Sequence, residues 1–279
     1  MWRRAAQLLP EVAHLLPRAG ERVAVVGCGT SWFVAQSYSV LRENAGQGET
    51  DAFAGSEFRF GRAYDRIIAL SRSGTTSEII DLIQRAGDTP TLLITGVADS
   101  PATQIATETI ALEFADEQSV VQTRFATTTL ALLRAHLGED VEALAADAER
   151  ALEIGVDELV GAEQVTFLGR GWTCGLAEEA ALKTREAAQF WAESYPAMDY
   201  RHGPLAIAQP GRLVWAFGEL PEGLDADVAA TGATLVRHDL DGLAGLIVAQ
   251  RFAVAVSKSR GLDPDHPRSL TRSVILEQA

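Results

Sequence analysis

The chain has 279 residues, 24 Lys+Arg against 38 Asp+Glu, and a formal net charge of -14. That balance excludes a general nucleic-acid binder, whose footprint is a basic face, and a hydrophobic share of 47% excludes wholesale disorder. Lys183 and Lys258 are the chain's two lysines, so chemistry that needs a neutral amine has two candidates.

Residues 3–18 carry apolar positions at helical spacing, interrupted by Pro10. This N-terminus lacks the unbroken apolar core and small-residue cleavage site of a signal peptide. RVAVVG (22–27) predicts a strand, Gly27–Ser31 a turn, and the following residues a helix to about Asn44. Val23–Leu41 is an uncharged run of 19 residues, near the length of a membrane span. Gly-Cys-Gly-Thr-Ser in its interior reads as strand, turn and helix instead, so no membrane partner and a cytoplasmic location are expected. A strand near 51–54 and a short helix at 56–60 follow. RIIAL (66–70) is a strand that runs into SRSGTT (71–76) and a helix over 77–85. TLLIT (91–95) and 109–114 are further strands, and a Thr-rich stretch opens a helix from 123 to about 138.

Residues 139–155 are charged, Ala-rich and helical, a connector. The pattern then restarts: QVTFL (164–168) as strand, Gly169-Arg170-Gly171 as turn, and a long helix from about 175 to 192. A loop through His202-Gly203-Pro204 leads to a strand at 213–217, a helix at 225–230, a strand at 234–236 and a helix from about 243 to 260. Alternating strands and helices imply parallel, doubly wound α/β sheets. VVGCGTSW and TFLGRGWT repeat the same strand, Gly-x-Gly turn and helix, which suggests two similar domains. The boundaries are an N-terminal helix at 1–20, a first domain at 21–138, the connector at 139–155 and a second domain at 156–279. Cys28 and Cys174 have no metal-ligand spacing and read as buried free thiols.

A dinucleotide fingerprint would need glycine where Trp32 stands, so a nicotinamide or flavin cofactor is not expected. SRSGTT contains no Walker lysine. It does place hydroxyls and backbone N–H groups at a helix N-terminus after an apolar strand, which is what a phosphate requires. Such donors let an acidic chain hold an anion without a basic face. Lys183 and Glu186 are three apart and share a helix face, where a surface ion pair and a proton-transfer pair are both possible. Together with His202 and a phosphate loop, they suggest proton shuffling on a phosphorylated sugar.

VVGCGTS, GSEFR, LSRSGTTSE, QTRFATT, EAALKTREAAQFWAESY, YRHGPLA and GLDPDHPRSLTRSV resemble, in order along nearly the whole chain, the sugar isomerase (SIS) family. The nearest resemblance is to the isomerase half of glutamine-dependent glucosamine-6-phosphate synthases and to amino-sugar-phosphate deaminases. It implies two flavodoxin-like domains in a homodimer with sites near the subunit interface, and no metal. It also implies Ser31, Ser71, Arg72, Ser73 and Thr76 around the sugar phosphate, Arg72 replacing a glutamine common in the synthase. Glu186 is then the base between C1 and C2, His202 the ring-opening group and Lys183 the cation facing the enolate. The synthase's glutaminase domain is absent from this sequence. Its Schiff-base lysine is replaced by Arg272, whose guanidinium cannot act as that amine; Lys258 reads as a solvated lysine off the motif. The expected activity is isomerisation of a hexose 6-phosphate or deamination of an aminohexose 6-phosphate. The alternative is a non-catalytic sugar-phosphate-binding regulator.

Overall fold

The computed structural model describes residues 1–276. Its first unit comprises residues 1–118, 122–141 and the segment from Thr271. Helix α1 (Trp2–Val12) accommodates Pro10 near its end and passes into a 3-10 turn at Ala13–Leu15. Then follow β1 (Val23–Gly27), α2 (Thr30–Asn44), β2 (Thr50–Ala54), β3 (Arg66–Ser71), α3 (Ser77–Arg85), β4 (Thr91–Thr95), β5 (Glu108–Ala111) and α4 (Arg124–His136). The five strands are all parallel, in the order β2-β1-β3-β4-β5. This is the flavodoxin-like order expected of a doubly wound sheet. β1 and β4 are buried along their whole length, as strands covered on both faces must be. On one face, Ala24, Val26, Ile67, Ala69 and Leu93 meet Ile79, Leu82 and Ile83 of α3.

The second unit comprises residues 119–121 and 142–270. Its elements are α5 (Val141–Glu153, all but the first residue), β6 (Gln164–Gly169), α6 (Thr173–Ala188), β7 (Ala192–Pro196), β8 (Arg212–Ala216), α7 (Leu224–Thr231), β9 (Thr234–Val236) and α8 (Gly242–Ser259). Its four parallel strands run β7-β6-β8-β9, repeating the β2-β1-β3-β4 order of the first sheet. The glycines of the two Gly-x-Gly turns have one physical cause. A Cβ on Gly27 would lie 2.4 Å from the Ser31 carbonyl carbon, and one on Gly169 would lie 2.3 Å from the Thr173 carbonyl oxygen. In both units the helix after the first strand starts hard against the strand's last residue, so that residue has no room for a side chain.

Several boundaries differ from expectation. The helix read as reaching residue 192 ends at Ala188. Gln189, at φ 48, reverses the chain into β7. That strand is half-exposed at the sheet edge and carries no apolar run, so its pattern is faint. The stretch at 56–60 forms only a 3-10 turn over Gly55–Glu57, and β5 stops at Ala111 before a 3-10 turn at Glu113–Ala115. The helix expected as a connector belongs, after its first residue, to the second unit. The C-terminal segment from Thr271 joins the first unit, where the Ser77 N–H donates to the Val274 carbonyl at 3.1 Å. Cys28 and Cys174 are free thiols of intermediate burial. Burial, with Glu78 nearby, pushes the Cys28 thiol up to about 11, and burial also raises Cys174. Both therefore stay protonated and weakly nucleophilic at neutral pH. Among the described residues, no helix is long and apolar enough to cross a membrane.

Candidate active site

In the first sheet β1 and β3 are neighbours, while β1 continues to β2 on one side and β3 to β4 on the other. The crevice beyond the carboxyl ends of such a strand pair is where doubly wound folds bind ligands. The segments emerging there are Cys28–Ser31 and Arg72–Thr76. Ser31, Ser71 and Ser73 are all buried. Ser71 Oγ accepts from the Gly74 N–H at 3.2 Å and lies 3.5 Å from Thr76 Oγ1. Ser73 Oγ accepts from the Thr75 N–H at 3.2 Å and from the Thr75 hydroxyl at 2.9 Å. The loop is thus folded on its own hydroxyls at the positive end of α3, with Thr76 as N-cap residue.

Gly74 makes this path possible. Its φ is +63, and a Cβ there would lie 2.0 Å from Ser100 Oγ. We predict that Gly74→Ala weakens binding of a phosphosugar or inorganic phosphate by about tenfold or more, since lost hydrogen bonds to a charged group are worth roughly 1.5–3 kcal/mol each. Calorimetry showing unchanged affinity in the folded variant would exclude this loop as the anion site.

Arg72 does not stand free in that loop. It is buried, with Nη1 3.9 Å from Glu117 Oε1 and Nη2 donating to the Arg272 carbonyl at 3.3 Å. Arg272 donates in turn to Asp116 Oδ1 at 2.5 Å and to the Glu117 carbonyl. The residue at the expected lysine position is therefore committed to carboxylate and carbonyl partners, and Thr76 Oγ1 lies 3.4 Å from Ser273 Oγ beside it. Glu117, which the sequence reading passes over, organises this corner. Its carboxylate accepts from the Thr123 N–H (2.8 Å), the Thr123 hydroxyl (2.7 Å), and the N–H groups of Arg124 (3.2 Å) and Phe125 (3.3 Å). It caps α4 from seven residues upstream of the helix, outside the usual capping positions.

In the second unit, α6 brings Lys183 and Glu186 together. Nζ donates to Glu186 Oε2 at 2.5 Å, and the Lys183 side chain is 2% exposed. The buried ammonium also lies 3.7 Å from Oε1 of Glu179, one turn earlier and equally buried. Glu179 is a second residue missed in the sequence; its i, i+4 spacing to Lys183 was the available signal. Glu186 opens onto a cavity of about 430 Å³ that is also lined by Arg185, Gln189, Phe190, Arg268, Ser269 and Leu270. Gln189 and Ser269 are the non-glycine residues with positive φ among those described, so the backbone is strained at two points of one cavity wall. Burial lowers the Arg185 guanidinium, opposed by the charges of Glu186, Glu178 and Glu179. His202 ends the 3-10 turn Asp199–His202, is exposed, and does not line this cavity. Lys258 is exposed in the last turn of α8.

Residues 16–137 match the SIS domain family. That match lies almost wholly within the first unit. The glutamine–fructose-6-phosphate aminotransferase (isomerizing) of Methanothermobacter thermautotrophicus is 30% identical, over 96% of this chain and 54% of its own length. The chain spans about half the length of the curated relatives it matches. Among solved structures, glucosamine-6-phosphate deaminase from Thermotoga maritima superposes with a TM-score of 0.80 at 23% identity, over 98% of this chain and 97% of that one. Tagatose-6-phosphate ketose/aldose isomerase from Escherichia coli gives a TM-score of 0.80 at 20% identity, over 99% and 93%. These two likenesses establish the shared fold.

Proposed function

We propose that the chain catalyses proton transfer between C1 and C2 of a hexose or aminohexose 6-phosphate, as an aldose/ketose isomerase or as a deaminase. The observation that carries this reading is the Lys183–Glu186 pair: a buried ammonium in contact with a carboxylate that faces a cavity. In a surface ion pair the ammonium would be solvated. The names of the relatives, which concern amino-sugar and ketose phosphates, support the substrate class.

In this reading Ser31, Ser71, Ser73 and Thr76 hold the phosphate, with Arg72 bracing the loop. His202 assists ring opening, supplied by the second subunit of a homodimer. The Glu186 carboxylate removes the proton on the carbon next to the open-chain carbonyl. The C–H electrons form the C1–C2 double bond, and the carbonyl electrons move to oxygen, whose charge the Lys183 ammonium offsets from behind Glu186. Glu186 then returns the proton to the neighbouring carbon, while a proton leaves the oxygen or nitrogen on C2 and one is taken up by the oxygen on C1. With an aminohexose phosphate the product of that return is a ketimine. Water adds to it, and ammonia leaves to give the ketose phosphate. The substrate brings its own nitrogen, so arginine at position 272 is no obstacle to this route.

A panel of hexose and aminohexose 6-phosphates tests the proposal. Glucosamine 6-phosphate is expected to yield ammonia and ketose in equal amounts if the enzyme is a deaminase, and a hexose 6-phosphate its isomer if it is an isomerase. Phosphosugar binding by thermal shift with no turnover of any member would identify a sensor instead; saturation at 100 times Kd stabilises by about 2.7 kcal/mol.

A further inference from the structure

We infer that Glu179 is the permanent counter-ion of Lys183, a positioning residue that frees Glu186 to gain and lose a proton. This deepens the proposed function and rests on it for the role of Glu186. Glu179, Lys183 and Glu186 occupy positions i, i+4 and i+7 of α6, one face of the helix. The two carboxylates differ in access. The Glu179 side chain is 2% exposed and absent from the cavity lining, whereas the Glu186 side chain is 19% exposed and lines the cavity.

That difference assigns the two carboxylates their tasks. A buried ammonium without a counter-charge is costly, and removing one partner of a buried pair costs far more than the pair contributes. Were Glu186 the sole partner, accepting a substrate proton would neutralise the one charge that keeps Lys183 an ammonium. With Glu179 in place the buried pair stays charge-balanced while Glu186 cycles between carboxylate and carboxylic acid. Lys183, as buried as Glu179 and likewise outside the cavity lining, is then held as a fixed cation behind Glu186 in every stage of the reaction, its charge acting on the enolate from there.

The chain's composition allows a direct test, because Lys183 and Lys258 are its two lysines. Protein labelled with [15N]lysine should show two side-chain ammonium environments, and the buried one is Lys183. In Glu179→Gln, which keeps shape and removes charge, Glu186 is left as the nearer carboxylate of the resting ammonium, so the Lys183 resonance is expected to shift from its wild-type position, and kcat to fall by about 100-fold with KM within about threefold. Glu179→Asp keeps the charge and is expected to retain the resonance position and at least about a tenth of kcat. A Gln variant with wild-type kcat and an unaltered Lys183 resonance would overturn the assignment, as would an Asp variant as impaired as the Gln variant. If the Gln variant does not fold, loss of both the resonance position and kcat in folded Asp protein decides against it. If the wild type turns over no sugar phosphate, the proposed function fails, and the resonance alone still decides whether Glu179 holds Lys183.

Discussion

Glu186→Gln is expected to lower kcat on the active phosphosugar by about 10³-fold, within the range that a positioned acid–base group contributes, while leaving substrate affinity within a fewfold of wild type. Glutamine keeps the volume of the side chain and can still accept from Lys183 Nζ, which donates to Glu186 Oε2 at 2.5 Å. It cannot take up and return a proton. The phosphate is assigned to a separate group of hydroxyls on the SRSGTT loop, so binding and proton transfer should separate cleanly. Loss of kcat with preserved KM is the signature of a group that acts in the transition state alone. Exchange of solvent deuterium into C1 or C2 of the recovered substrate should disappear in parallel. Retained exchange with lost net turnover would move the base elsewhere and leave Glu186 a role in product formation. Equal activity of variant and wild type would end the acid–base assignment.

Arg42→Leu is expected to destabilise the first unit by about 3–5 kcal/mol, the range for breaking a buried charged network. Arg42 lies near the end of α2 and is 1% exposed. Its guanidinium donates to six oxygens at 2.7–3.4 Å: the carbonyls of Arg18, Glu21, Gln47, Gly48 and Glu49 and the Thr50 hydroxyl. One side chain thus ties the segment entering β1 to the turn entering β2. Burial lowers the guanidinium from its ordinary value, opposed by Tyr38, Glu21 and Glu43. Leucine would preserve part of the apolar packing and remove the shared donor, while the Arg18, Gln47 and Glu49 carbonyls keep a backbone N–H and the Gly48 carbonyl keeps the Thr50 hydroxyl. The melting temperature should drop by roughly 10 °C, and hydrogen exchange should accelerate in β1 and β2. Arg42→Lys should recover less than half of the loss, because a single ammonium cannot span acceptors arranged for a planar fork. A measured loss below about 1 kcal/mol for the leucine variant would show the network to be dispensable.

The contrast between Glu186 and Arg42 marks how far the sequence can be read. Glu186 and Lys183 stand three apart in one helix, and SRSGTT is six consecutive residues. Local periodicity and turn chemistry expose such groups, and the helix expected over 77–85 forms as Ser77–Arg85. Arg42 gives no such signal. Its partners are backbone carbonyls, which every residue carries, so only folding tells which ones converge on it. Glu117 is hidden for a related reason. It caps α4 across an intervening loop, whereas capping is recognisable in sequence when the acceptor directly precedes the helix. β7 is faint because an edge strand buries little and need not alternate strongly.

By itself, then, the sequence determined the alternation of strands and helices, the two glycine-turn repeats, the hydroxyl-rich SRSGTT turn ahead of a helix, and the arginine at position 272. All of these are properties of neighbours along the chain, where side-chain type, spacing and backbone freedom act within a few residues. The tertiary structure decided that the segment from Thr271 returns to the first unit, that Arg272 is held by Asp116 and the Glu117 carbonyl, and that Lys183 is buried between two carboxylates rather than solvated. Those outcomes depend on which distant groups lose water together. Burial turns an ordinary i, i+3 ion pair into a charge arrangement that can do chemistry.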